Sequence, residues 1–88
     1  MKIAYSSEGE YRADFVDDWW RENRPQAPDL FREELEAALQ QILAMPLSGT
    51  EYTVSREVVI YRVLLPKTRQ AVYYSLDRDR DLIIVHSV

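Results

Sequence analysis

Cysteine is absent from this 88-residue chain, which excludes a disulfide framework and a thiolate metal site. No apolar run approaches the roughly 18 residues needed to span a bilayer. The opening Met1-Lys2-Ile3-Ala4-Tyr5-Ser6 lacks the apolar stretch of a signal peptide. These absences together predict a cytoplasmic protein, neither exported nor held in a membrane. A basic excess is missing as well. The net charge is −4, whereas a nucleic-acid binder carries a basic footprint, so no specific nucleic-acid binding is expected. There is no internal repeat and no low-complexity tract, and His86 is the only imidazole.

The composition is 47% apolar and 30% charged, that of a globular domain rather than a disordered tail. Eighty-eight residues make one domain with a thin core. Charge is unevenly placed: residues 1–51 hold five Lys/Arg against eleven Asp/Glu, and residues 52–88 hold six against four. The acidic excess belongs to the first half.

That half carries two helix-period stretches. Lys2 to Ser6 reads as a short strand, and Ser7-Glu8-Gly9 supplies turn and capping chemistry. Tyr11, Phe15 and Trp19 then recur at i, i+4, i+8, with Val16 and Trp20 widening the stripe. Pro25 and Pro28 separate this helix from the next, in which Phe31, Leu35, Ala38, Leu39 and Ile42 form the stripe. Asp29, Glu33 and Glu34 sit near its N-terminus, where the helix dipole favours anions, and Pro46 ends it. The spacing predicts an antiparallel hairpin that buries Phe15, Trp19, Leu35 and Leu39.

Leu47 to Tyr52 reads as a connecting loop. Three strand-like runs follow: Val58 to Leu65, Ala71 to Leu76, and Leu82 to Val88. Pro66-Lys67-Thr68-Arg69 and Asp77-Arg78-Asp79-Arg80-Asp81 are the turns between them. Helices first and strands second predict an α+β domain in the order β-α-α-β-β-β, the hairpin lying on a small antiparallel sheet. Along the first run Val59, Tyr61, Val63 and Leu65 point one way and Val58, Ile60, Arg62 and Leu64 the other, so both faces are largely apolar. Helices cover one face only. The other is closed by a further part of the chain or stays open to a partner.

Several stretches, taken in order, carry a family likeness. They are Ala13-Asp14-Phe15, Trp19-Trp20-Arg21-Glu22-Asn23-Arg24-Pro25, Ala27-Pro28-Asp29-Leu30-Phe31 and Glu34-Leu35-Glu36-Ala37-Ala38-Leu39. Arg62-Val63-Leu64-Leu65-Pro66-Lys67-Thr68-Arg69, Ala71-Val72-Tyr73-Tyr74-Ser75-Leu76-Asp77 and the closing strand complete the set. The chain so read resembles the ParE branch of the RelE/ParE superfamily, toxins of bacterial type II toxin–antitoxin systems that include plasmid-stabilisation modules. The resemblance implies a single toxin domain over residues 1–88 that acts by protein contact on DNA gyrase. It also implies neutralisation by a ParD-like antitoxin in a hetero-oligomer. Family members continue past the last strand into a short basic segment headed by an aromatic residue, and this sequence is expected to be a domain without it.

The alternative within the superfamily is a RelE-like ribosome-dependent mRNA endonuclease. Such an enzyme needs cations to polarise the scissile phosphate and an acid/base pair for the 2′-OH and leaving oxygen, and Arg62 and His86 would be the residues to supply them. A third reading is a toxin-derived module that only binds antitoxin. A charge inside an apolar strand needs a partner or an exposed place, so Arg62 is either functional or a paired or snorkelling surface arginine. His86 has no recognisable orienting partner. The Asp77–Asp81 turn lacks the glycine and distal glutamate of an EF-hand and reads as solvated. In each of Trp19-Trp20 and Tyr73-Tyr74 one ring is expected in the core. The partner-binding set is Val58, Ile60, Arg62 and Leu64 with Trp20, and no cofactor or metal is expected.

Overall fold

Helices in the first half and strands in the second are what the computed structural model shows, with all of residues 1–88 described. The elements are β1 (Lys2–Tyr5), α1 (Ser7–Asn23), α2 (Leu30–Ala44), β2 (Thr50–Ser55), β3 (Val58–Leu65), β4 (Gln70–Asp77) and β5 (Leu82–Ser87). They form an α+β domain with one five-stranded sheet in the order β1-β5-β4-β3-β2.

Two features depart from the sequence expectation. The sheet is mixed rather than wholly antiparallel, because β1 runs parallel to β5 with Ile3 opposite Ile83 and Tyr5 opposite Val85. The stretch read as a loop also supplies an extra strand, β2. It pairs with β3 through a two-residue hairpin, Ser55 opposite Val58, with Arg56 and Glu57 at φ 51° and 67°. Those angles define the mirror-image turn that matches strand twist, a turn that normally takes Asn-Gly. With neither residue there the turn gives no signal, and the short alternation of Tyr52 and Val54 in a strand exposed along its whole length is all that marks it.

Helix α2 behaves as its periodicity predicts. Phe31, Leu35, Ala38, Leu39 and Ile42 are buried, and they meet Leu65, Val72, Tyr74, Ile83 and Val85 of the sheet in one core. Helix α1 does not. Phe15 is 50% and Trp19 42% exposed, so the expected burial of these two rings is wrong, while that of Leu35 and Leu39 holds.

The face that α1 turns inward is Gly9, Ala13, Val16 and Asp17. The reason is close approach. Ser6 caps the helix by accepting from the Gly9 N–H at 3.0 Å, and its own N–H donates to the Val85 carbonyl at 3.0 Å. A Cβ on Gly9 would collide with that same carbonyl oxygen. Where a helix lies this near a strand only small side chains fit between them, so Tyr11, Phe15 and Trp19 point to solvent while Trp20 packs at the edge of the core. Asp17 is tolerated inside because its Oδ2 receives Arg21 Nε and Arg32 Nη2, each at 3.3 Å.

Two contacts tie the sheet to α2 and to the loop that follows it. Tyr74, fully buried, donates its hydroxyl proton to the Pro46 carbonyl at 2.8 Å and accepts from the Gly49 N–H at 3.0 Å. Burial raises its pKa against the opposing effect of the Gly49 N–H. Glu34 accepts from the N–H groups of Lys67 and Thr68 and from the Thr68 hydroxyl, at 2.7, 3.0 and 2.7 Å, clamping the β3–β4 turn to α2. Partial burial acts to raise the Glu34 pKa, but the Thr68 hydroxyl and the two N–H groups outweigh it and hold the carboxyl below its ordinary range.

Candidate functional site

With both helices on one side, the opposite face of the sheet has no layer over it. Period-two alternation sends Val58, Ile60, Arg62 and Leu64 of β3 to that side. Val58 is 42% and Leu64 61% exposed, Arg62 is exposed and Ile60 half-buried. No part of residues 1–88 folds over them. Of the two explanations the sequence left open for this face, coverage from within these residues is ruled out.

The neighbouring strands make the face a site rather than a bare strip. Arg62 stands opposite Tyr73 of β4 and Thr50 of β2. Its guanidinium lies 5.9 Å from the ring centroids of both Tyr52 and Tyr73, which meet edge to face at 5.0 Å. No carboxylate reaches it within ion-pair distance. The arginine is thus neither salt-bridged nor free; two tyrosine faces hold it in place with its charge unneutralised. Beside it a cleft of about 460 Å³ runs along Leu64, Pro66, Gln70, Ala71 and Tyr73, with Arg69 as a second cation.

His86 lies elsewhere on the face. Its Nε2 is 2.6 Å from the buried Ser75 Oγ, and burial lowers its pKa, which favours the neutral ring. A separate cleft of about 440 Å³ joins it to Val58, Ser75, Asp77, Arg78 and Ile84. The structure therefore does not bring Arg62 and His86 into one cleft. Trp20 is not on this face at all: it belongs to α1, packs against the core on the opposite side of the sheet, and meets Trp19 at 5.9 Å.

Tyr52 escaped the sequence reading because β2 did, and without β2 nothing brings Tyr52 over Tyr73. That one ring of Tyr73-Tyr74 is core follows from the sequence, and the structure shows it to be Tyr74, fully buried, which leaves Tyr73 on the outer face. No three His, Cys, Asp or Glu side chains converge to hold a metal ion. No helix is long and apolar enough to cross a membrane. In comparison with known proteins, no family model, curated protein or solved structure matches this chain.

Proposed function

We propose that this chain is a ParE-like toxin of a type II toxin–antitoxin system, acting in the cytoplasm by protein contact. Its family target is DNA gyrase, and a ParD-like antitoxin neutralises it in a hetero-oligomer. The observation that carries the reading is the uncovered outer face of β3, with apolar Val58, Ile60 and Leu64 around an Arg62 that has aromatic but no anionic company. Such a face suits an apolar and acidic segment, disordered when free, that folds on contact. The fully exposed edge strand β2 offers it backbone groups for strand addition.

The nuclease reading is weaker on the same geometry. Arg62 and His86 line different clefts, and the hydrogen bond of His86 is to a buried serine rather than to a carboxylate that would orient it as a base.

The test is expression in a bacterial host with and without a candidate antitoxin from the adjoining reading frame. Growth arrest with inhibited gyrase supercoiling, both relieved by the antitoxin, is expected. Codon-position-specific mRNA cleavage in a reconstituted translation assay, abolished by Arg62→Ala or His86→Ala, would replace this reading with the endonuclease. Antitoxin binding with neither arrest nor cleavage would leave only the antitoxin-binding part of it.

A further inference from the structure

Helix α1 turns Tyr11, Phe15 and Trp19 to solvent at four-residue steps, 65%, 50% and 42% exposed. The core does not use them; Ala13 and Val16 serve that purpose. Between α1 and the start of β4 a cleft of about 220 Å³ opens against Val16, walled by Phe15, Trp19, Arg12 and Gln70. It has room for one large aliphatic side chain.

Charge narrows the choice of occupant. Helix α1 has six carboxylates and two guanidiniums. Asp14 and Asp17 are paired with Arg32 and Arg21, whereas Glu8, Asp18 and Glu22 have no cation. Each of these three stands one helical turn from an aromatic, Glu8 from Tyr11, Asp18 from Phe15 and Glu22 from Trp19. The rings already carry cations on their faces, since Arg12 lies 5.4 Å from Phe15 and Arg24 lies 5.1 Å from Trp19.

We propose that this face of α1 docks a cationic amphipathic segment of a partner protein. Its aliphatic side chains rest on Tyr11, Phe15 and Trp19, with one seated in the cleft, and its lysines or arginines pair with Glu8, Asp18 and Glu22. A second copy of the chain is a poor occupant. Antiparallel pairing of two α1 helices about Phe15 would set Glu8 of one opposite Glu22 of the other, between bodies that each carry −4. The site is independent of the Arg62 face across the sheet, and it selects the opposite sign of charge.

The probe is a helical peptide of roughly 18 residues with leucines at three- and four-residue steps and lysines elsewhere, compared with its glutamate counterpart. Binding is followed by amide NMR shifts of the full chain. The lysine peptide is expected to perturb Tyr11–Asn23 and to bind at least about tenfold more tightly than the glutamate peptide. Phe15→Ala and the double change Asp18→Lys/Glu22→Lys should each weaken it about tenfold with unchanged circular dichroism, and Ile60→Asp should leave it unaltered. Equal binding of the two peptides, shifts centred elsewhere, or indifference to both α1 variants would overturn the proposal. Concentration-dependent dimerisation abolished by Phe15→Ala would overturn it too, by assigning the face to a second copy.

Discussion

The two faces of β3 are nearly equal in apolar content and opposite in fate. Val59, Tyr61, Val63 and Leu65 face the helices, and Leu65 is 1% exposed; Leu64, one residue earlier, is 61% exposed. Hydrophobicity alone therefore does not decide what is core. What decides it is whether another element of the chain can reach the face, and both helices are committed to one side. The same lesson holds within the helical layer. Helix α2 buries its stripe, whereas α1 buries Gly9, Ala13 and Val16 and leaves Tyr11, Phe15 and Trp19 out.

The comparison is sharpest at Tyr74, on the inner side. Tyr74→Ala should cost about 3–5 kcal/mol, because it removes a fully buried ring and leaves the Pro46 carbonyl and Gly49 N–H without their partner. Leu64→Ala, a truncation on the outer side, should change stability by less than about 0.5 kcal/mol. Urea unfolding of both variants checks the contrast, and a comparable loss at Leu64 would mean that the outer face is covered.

Glu34 gives the next largest effect. Glu34→Gln should cost about 1–3 kcal/mol by weakening a charged acceptor that serves three donors of the β3–β4 turn. The sign of its pH dependence follows from the lowered folded-state pKa. The unfolded chain takes up the proton more readily, so the contribution is complete above the ordinary carboxyl value of 4.5 and is lost as pH falls through the folded value. Wild type should lose stability faster than Glu34→Gln over that acid window. Parallel curves would show that the clamp is not what protonation breaks.

A smaller gain is expected at the edge. Replacing Arg56-Glu57 by Asn-Gly should stabilise the β2–β3 hairpin by about 1 kcal/mol, since both residues now sit at positive φ without a side chain suited to it. Thermal unfolding measures it, and a lower midpoint would mean that the two native side chains make contacts worth more than the backbone strain.

How much of this was legible beforehand depended on how local the signal is. The bounds of β3 were readable from an apolar run rich in β-branched residues and broken only by Arg62, and the buried side of α2 from its period. That one of Tyr73 and Tyr74 is core was readable, but that it is Tyr74 comes from the structure. Strand β2 was missed although Tyr52 and Val54 alternate with Glu51, Thr53 and Ser55, because the run is short and Arg-Glu at its turn gives no hairpin signal. The orientation of α1 was hidden for a different reason: amphipathic spacing marks an apolar face without naming what covers it. Only the approach of Gly9 to Val85, residues 76 apart in sequence, settles that the small face goes inward. The pairing of Tyr52 with Tyr73 around Arg62 is likewise a property of sheet register, and no local pattern announces it.

The claim that the outer face of β3 is a partner surface is tested most directly by antitoxin affinity. Wild type, Ile60→Asp and Arg62→Ala would be titrated with a ParD-like candidate, with folding of each checked by circular dichroism. The account predicts that both variants stay folded and that each binds at least about tenfold more weakly, since a desolvated cation or apolar anchor at a contact centre costs about 2 kcal/mol or more when lost. Folded variants that both bind within tenfold of wild type would contradict it.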